Sequence, residues 1–278
     1  MNSIDPPILD AGDTYTTCIS RVKDAALKAR LAAITNDVRT ASADYVDKAL
    51  ENRLHEVPRI ANVGGVTTAE LKKVYTQHMA GKNAPGRVAY DEIFNSSAKC
   101  LLCTQRKVDA LDHHLPKAHY PVLAVTPVNL IPACSACNKA KLASVPGTAD
   151  DSALHPYFDR IQDDRWLHGL VVTGIPAVVR FRVQAPAHWA TQLTNRVQLH
   201  FDGLNLGDLY SAEAAEELTS IRHQLTNIHR TEGMQAVREE LLARFESAAA
   251  AQLNGWRAVT YESFAMSDWF CDGGFAPV

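Results

Sequence analysis

Four of the six cysteines fall into two identically spaced pairs, Cys100-Leu101-Leu102-Cys103 and Cys134-Ser135-Ala136-Cys137, with thirty residues between them. A Cys-x-x-Cys turn sets two thiolates on one side of a knuckle, and two knuckles supply the four sulfurs of a tetrahedral ion. A closed shell of four cysteines keeps no open position, so the expected Zn2+ is structural rather than catalytic. In so short a module it would supply much of the folding free energy. A redox pair is the competing reading, and it belongs at a helix start beside a βαβ pattern. No such pattern surrounds Cys100. Accidental spacing is the third reading. Cys18 and Cys271 stand alone and carry no functional expectation.

Between and after the pairs lie Asp112, His113 and His114 in the run LDHHLPK, Asn129 in NLIP, and Asn138, Lys139 and Lys141 in CNKAK. These are the residue types that phosphodiester hydrolysis asks for. A histidine neutral near pH 7 can take a proton from water. One hard cation can meet both the scissile phosphate and the leaving oxygen. The string LDHHLPK…NL.P.C..CN..K resembles the HNH endonuclease family in its cysteine-supported form. The resemblance covers about residues 96–145. It implies two strands and a helix around one divalent metal, Mg2+ or Mn2+. It makes His113 the general base, Asp112 and Asn138 the metal ligands, and Asn129 the residue that pins the loop and orients His113. Asn138 stands where the family often has histidine, and two oxygen ligands suit Mg2+. The family also implies 3′-hydroxyl and 5′-phosphate ends, and a bacterial setting in phage defence or mobile elements. HPYFD at 155–159 and SDWFC at 267–271 resemble features of a bacterial subgroup.

Each residue also has a structural reading. His114 follows His113 and points the other way on a strand, so it is expected to be packed or hydrogen-bonded. Asn129 could be a turn residue. His119 is expected at the surface or on a phosphate. His155 is expected in an aromatic lid, with a role near the phosphate as the lesser reading. Lys117, Lys139 and Lys141 are candidate backbone-phosphate contacts, with solvated lysines as the alternative.

The charge distribution leaves two readings, an anionic partner at this segment or a chance fluctuation. From Lys99 to Lys141 there are six Lys/Arg against two acids, +4 in a chain whose net charge is −3. The remainder is therefore −7, which resists free binding to DNA and points to an activating partner protein. The alternative function is thus a zinc-framed nucleic-acid-binding subunit, its cleavage silent or switched on by a partner of a defence system. A thiol oxidoreductase is a third, requiring a reactive thiol.

These residues need elements to hold them. The 278 residues, 46% hydrophobic and 21% charged, allow one large or two modest folded domains and exclude a disordered chain or a coiled-coil rod. The first residues lack the basic and apolar regions of a secretory signal, and no apolar stretch is long enough to span a membrane, so a cytoplasmic protein is expected. Helices are predicted over 24–34, 36–57, 67–79 and 87–94, the third opened by a Thr67–Glu70 capping box. Residues 96–160 hold both cysteine pairs and four histidines, with only seven prolines or glycines, and read as a compact irregular module. Strands are predicted at 171–172, 178–183 and 197–201, then helices over 211–229, from 231 to before Gly255, and over 256–269. The expected fold class is α+β: an N-terminal helical region (1–95), a central ββα-metal module with its four-cysteine zinc site (96–160), and a C-terminal mixed α/β region (161–278).

Overall fold

The computed structural model of the chain describes residues 1–141 and 144–276. It is an α+β protein whose contacts divide it into two compact units, Met1–Arg160 and Ile161–Val278. The first unit holds both the N-terminal helices and the cysteine-rich module.

Its helices begin where side chains can cover free N–H groups. Asp10 caps α1 (Ala11–Ile19) through Asp13 N, and Asp24 caps α2 (Ala25–Ala33) through Leu27 N. Next comes α3 (Thr35–Leu50), which ends earlier than its sequence suggests. Asn52 takes a left-handed φ of 56° and stops it, and a single 3-10 turn at Leu54–Glu56 replaces the predicted continuation. A two-residue hairpin, β1 (Asn62–Val63) with β2 (Val66–Thr67), turns at Gly64-Gly65. The capping box forms as predicted: Thr67 Oγ1 accepts from Glu70 N, and Glu70 accepts from Thr67 N at the start of α4 (Thr68–His78). The short α5 (Arg87–Asn95) follows.

The module itself is β3 (Ala110–His113), β4 (Leu130–Ala133) and α6 (Ser135–Lys141). The strands are antiparallel, with Asp112 opposite Ile131 and His113 opposite Leu130. One buried cluster runs without a break from the helices (Tyr15, Leu31, Val38, Tyr45, Leu71, Met79) into the module (Leu111, Leu123, Leu130).

The second unit folds a hairpin, β5 (Leu167–Val172) with β6 (Val178–Val183), onto helices. These are α7 (Thr191–Gly203), α8 (Leu206–Glu232), α9 (Met234–Ala251) and α10 (Trp256–Ala265). Gly169 lets α10 lie against β5: a Cβ there would meet Ser263 Oγ at 2.4 Å. Asn254, in the turn before α10, ties the entry of β5. Its Oδ1 accepts from Trp166 N and Leu167 N, and its Nδ2 donates to Asp164 O. The predicted strand at 197–201 is instead part of α7. Val197, His200 and Phe201 share the buried face at helical spacing while Leu199 is exposed, which alternation would not allow. Among the described residues, no helix is long and apolar enough to cross a membrane.

Candidate functional site

The four sulfurs of Cys100, Cys103, Cys134 and Cys137 are buried and lie within 4.8 Å of one another. The Cys103 and Cys134 sulfurs are 4.0 Å apart. Four sulfurs at about 2.3 Å from a tetrahedral zinc would stand about 3.8 Å apart, so the spacing and donor set fit that ion. The backbone prepares both knuckles. Cys100 N donates to Arg106 O, and Thr104 N to Cys100 O, with Thr104 at a left-handed φ of 58°. At the second, Asp109 Oδ1 accepts from Ser135 N at 2.6 Å and from Ser135 Oγ at 2.8 Å, fixing the start of α6. Hydrogen bonding among the crowded sulfurs splits their acidities, holding Cys103 far below an ordinary thiol and pushing Cys137 far above it.

On β3 successive side chains point to opposite faces. His113 faces the helices, with its ring edge on Tyr75, centroids 4.4 Å apart. Its Nε2 lies 2.9 Å from Ala124 O. A carbonyl only accepts, so Nε2 carries the proton and Nδ1 keeps the lone pair. Burial, with the charge of Lys117, pushes the imidazole down to about 3. The ring is neutral at physiological pH.

The loop that presents Ala124 is held by Asn129, whose three side-chain bonds are all made. Oδ1 accepts from Leu115 N at 2.7 Å, and Nδ2 donates to Leu115 O at 3.0 Å and Leu123 O at 3.2 Å. His114 N also donates to Asn129 O. Asn129 is fully buried and joins both ends of the loop, more than a turn residue would do.

Asp112 is buried on the other face of β3, and burial raises its carboxyl against the opposing charge of Lys141. Lys141, from the last turn of α6, donates to Asp112 Oδ2 at 2.7 Å and to the carbonyls of His113 and His114, each at 2.8 Å. Lys141 is therefore part of the site's interior rather than a solvated lysine. Asn138 lies one turn earlier on the same side of α6 and is half-buried. Lys139 and His119 are exposed, and Lys117 is half-buried with its ammonium 5.2 Å from the Tyr75 ring centre.

His114 shares its face with a second buried group. Its ring packs on His155, centroids 4.1 Å apart. His155 Nδ1 accepts from Tyr157 N at 3.1 Å, so its Nε2 donates to Tyr45 Oη at 2.8 Å. The rings of Phe158 and Tyr157 complete the packing, and Tyr157 Oη donates to Leu130 O. HPYFD is thus a buried aromatic clasp on β3 and β4.

Tyr75, Tyr45 and the Ala124 carbonyl are not foreseen in the sequence, where nothing marks a tyrosine on a distant helix or a backbone oxygen. Lys141 is a candidate phosphate contact in the sequence, but its pairing with Asp112 is not expected there, although it stands three residues after Asn138 on the same helical face.

No family model and no solved structure matches the chain. Over 238 residues it is 31% identical to protein ea31 of Escherichia phage lambda, in a match that covers 80% of this chain and 80% of the phage protein. With that identity spread over four-fifths of both sequences, the chain belongs to the family of the phage lambda protein ea31.

Proposed function

We propose that this protein is a metal-dependent endonuclease of the HNH type, hydrolysing phosphodiester bonds in DNA. The observation that carries the reading is the fixed tautomer of His113. A neutral histidine has its proton committed to Ala124 O, in a loop that Asn129 locks, so Nδ1 is a lone-pair base. It stands at the end of β3, next in sequence to Asp112 but on the opposite face, and both groups feel the charges of Lys117 and Lys141.

Asp112 and Asn138 offer a carboxylate and an amide oxygen, donors that suit Mg2+ or Mn2+. The Lys141 ammonium on Asp112 marks the spot as one that accepts a cation. A bound ion would supply charge neutralisation at the phosphate and the leaving oxygen. The chain's own residues do the rest. His113 Nδ1 takes the proton of the attacking water. The Ala124 carbonyl holds the ring and steadies the imidazolium that forms, as the orienting partner of a catalytic histidine does. Asn129 keeps that carbonyl in place. Lys117 and Lys139 would contact backbone phosphates, and Lys141, once displaced from Asp112, would do the same. The four-cysteine cluster, with Zn2+, would hold α6 against β3.

A zinc-framed binding subunit, silent until a partner acts, is the second reading. It is favoured by the burial of His113, only 6% exposed, which requires opening before water and phosphate reach Nδ1. Supercoiled plasmid incubated with the protein and Mg2+ or Mn2+ tests the two. Nicking that EDTA abolishes and fresh Mg2+ restores supports the nuclease. No nicking under either metal, from protein that retards DNA, selects the silent subunit. Undiminished cleavage in EDTA refutes the metal-dependent mechanism.

A further inference from the structure

The second unit carries nine arginines, no lysine and fourteen acids from 161 to 278, a net charge of −5. As a body it repels a polyanion. Its arginines are not spent evenly, however. Arg165, Arg238, Arg244 and Arg257 pair with Glu262, Asp268, Glu240 and Glu217. Arg180 and Arg182 have no carboxylate partner among the described residues, and Arg182 bonds only the Gln184 side-chain oxygen, at 3.1 Å.

Both sit on β6, two residues apart, so they project from the same face about 6.8 Å from each other. Directly opposite on β5 stand Leu170, facing Arg180, and His168, facing Arg182. That face is open: Arg180 and Arg182 are exposed, Leu170 is 62% exposed and Val178 is 40% exposed. The other face is closed, with Val179 and Phe181 buried and Phe181 edge-on to Tyr210 of α8. Two unneutralised guanidiniums side by side on one face of a two-stranded ribbon, in a unit otherwise acidic, call for an anionic partner at that place.

We propose that the outer face of the β5–β6 hairpin binds the phosphate backbone of duplex nucleic acid, Arg180 and Arg182 each holding one phosphate. The choice of nucleic acid as the polyanion rests on the nuclease reading above. Arginine suits the role, because its planar fork meets two phosphate oxygens at once. A ribbon of two strands is narrow enough to lie at the major groove. With its inner face packed on helices, the hairpin can only lie on the backbone. It therefore adds affinity without reading sequence.

Binding of a fluorescein-labelled duplex to the full-length His113→Ala protein, followed by anisotropy across a salt series, tests this without cleavage. The slope of log K against log salt should fall by about 1.8 in Arg180→Gln/Arg182→Gln, roughly 0.9 for each lost phosphate. Arg230→Gln, at an exposed arginine at the end of α8, should leave it unchanged. Both sites are on the surface, and an unaltered melting temperature verifies that the variants fold. An unchanged slope in the double variant, with the parent still bound, overturns the hairpin site and leaves the nuclease reading intact. A parent that does not bind duplex at all overturns it too. A hairpin-dependent slope in a protein that never cleaves with Mg2+ or Mn2+ upholds the binding face and removes the nuclease.

Discussion

His113 is kept neutral by burial and by the nearby charge of Lys117, while the Ala124 carbonyl that accepts its proton fixes the tautomer and pulls the other way. Its proposed role and that of Asp112 fail in different ways when removed. His113→Ala deletes the proton acceptor and touches no ligand. Turnover should fall about 10²–10⁴-fold, the usual share of general-base catalysis, with Mn2+ affinity unchanged by titration calorimetry. Asp112→Ala and Asn138→Ala delete ligands, so raising Mg2+ or Mn2+ should restore part of their activity. If His113→Ala cleaves like the wild type while His114→Ala is dead, the base is His114. Asn129 is the more fragile residue structurally. Asn129→Ala strands Leu115 N and two carbonyls in a buried loop, which should cost about 1–3 kcal/mol for the first unmet group. Urea denaturation would register that loss, and wild-type stability in the variant would mean that the loop holds without its pin.

At the scale of elements, the parts of the fold that rest on local chemistry can be read from the sequence, and those that rest on packing cannot. The Thr67–Glu70 capping box stands as expected because it is made entirely within four residues. The order strand, strand, helix in the module is what the resemblance of LDHHLPK, NLIP and the second cysteine pair to the HNH family implies, and β3, β4 and α6 follow it. The stretch Val197–Phe201 misleads because Val-Gln-Leu-His-Phe satisfies a period of two almost as well as helical spacing. Tertiary contact decides it, by burying His200 and leaving Leu199 in water. The end of α3 escapes the sequence for a different reason: a left-handed Asn52 is a single backbone choice without a composition signal. At the site, the residue types are readable, but their partners are not. Tyr75 and Ala124 reach His113 from other parts of the chain, and a ring contact or a carbonyl bond leaves no spacing to find. The knuckles give this scale its prediction. Cys100→Ser or Cys137→Ser leaves three sulfurs and an incomplete shell. Elemental analysis should find about one zinc per wild-type chain and none firmly held in the variants, and well-folded wild-type protein without zinc would defeat the structural role.

At the scale of the molecule, the cysteine cluster belongs to one unit only. Calorimetry of the intact chain should therefore respond unevenly to zinc removal. A strong chelator should lower the transition of residues 1–160 and spare that of 161–278, since a ligand stabilises only the state that binds it. A single transition that moves as one would show the two units to be energetically joined. The Asn254 clamp bears on a different question, the order in which a growing chain acquires structure. Its bonds to Trp166 N and Leu167 N span 88 and 87 residues. Closing so long a loop costs entropy before any contact repays it, which slows the step. During synthesis the ribosome must release nearly the whole chain before residue 254 can reach the entry of β5. All of the first unit, Met1–Arg160, has left the ribosome by then. The hairpin that follows residues 1–160 is thus among the last parts of the chain to be latched.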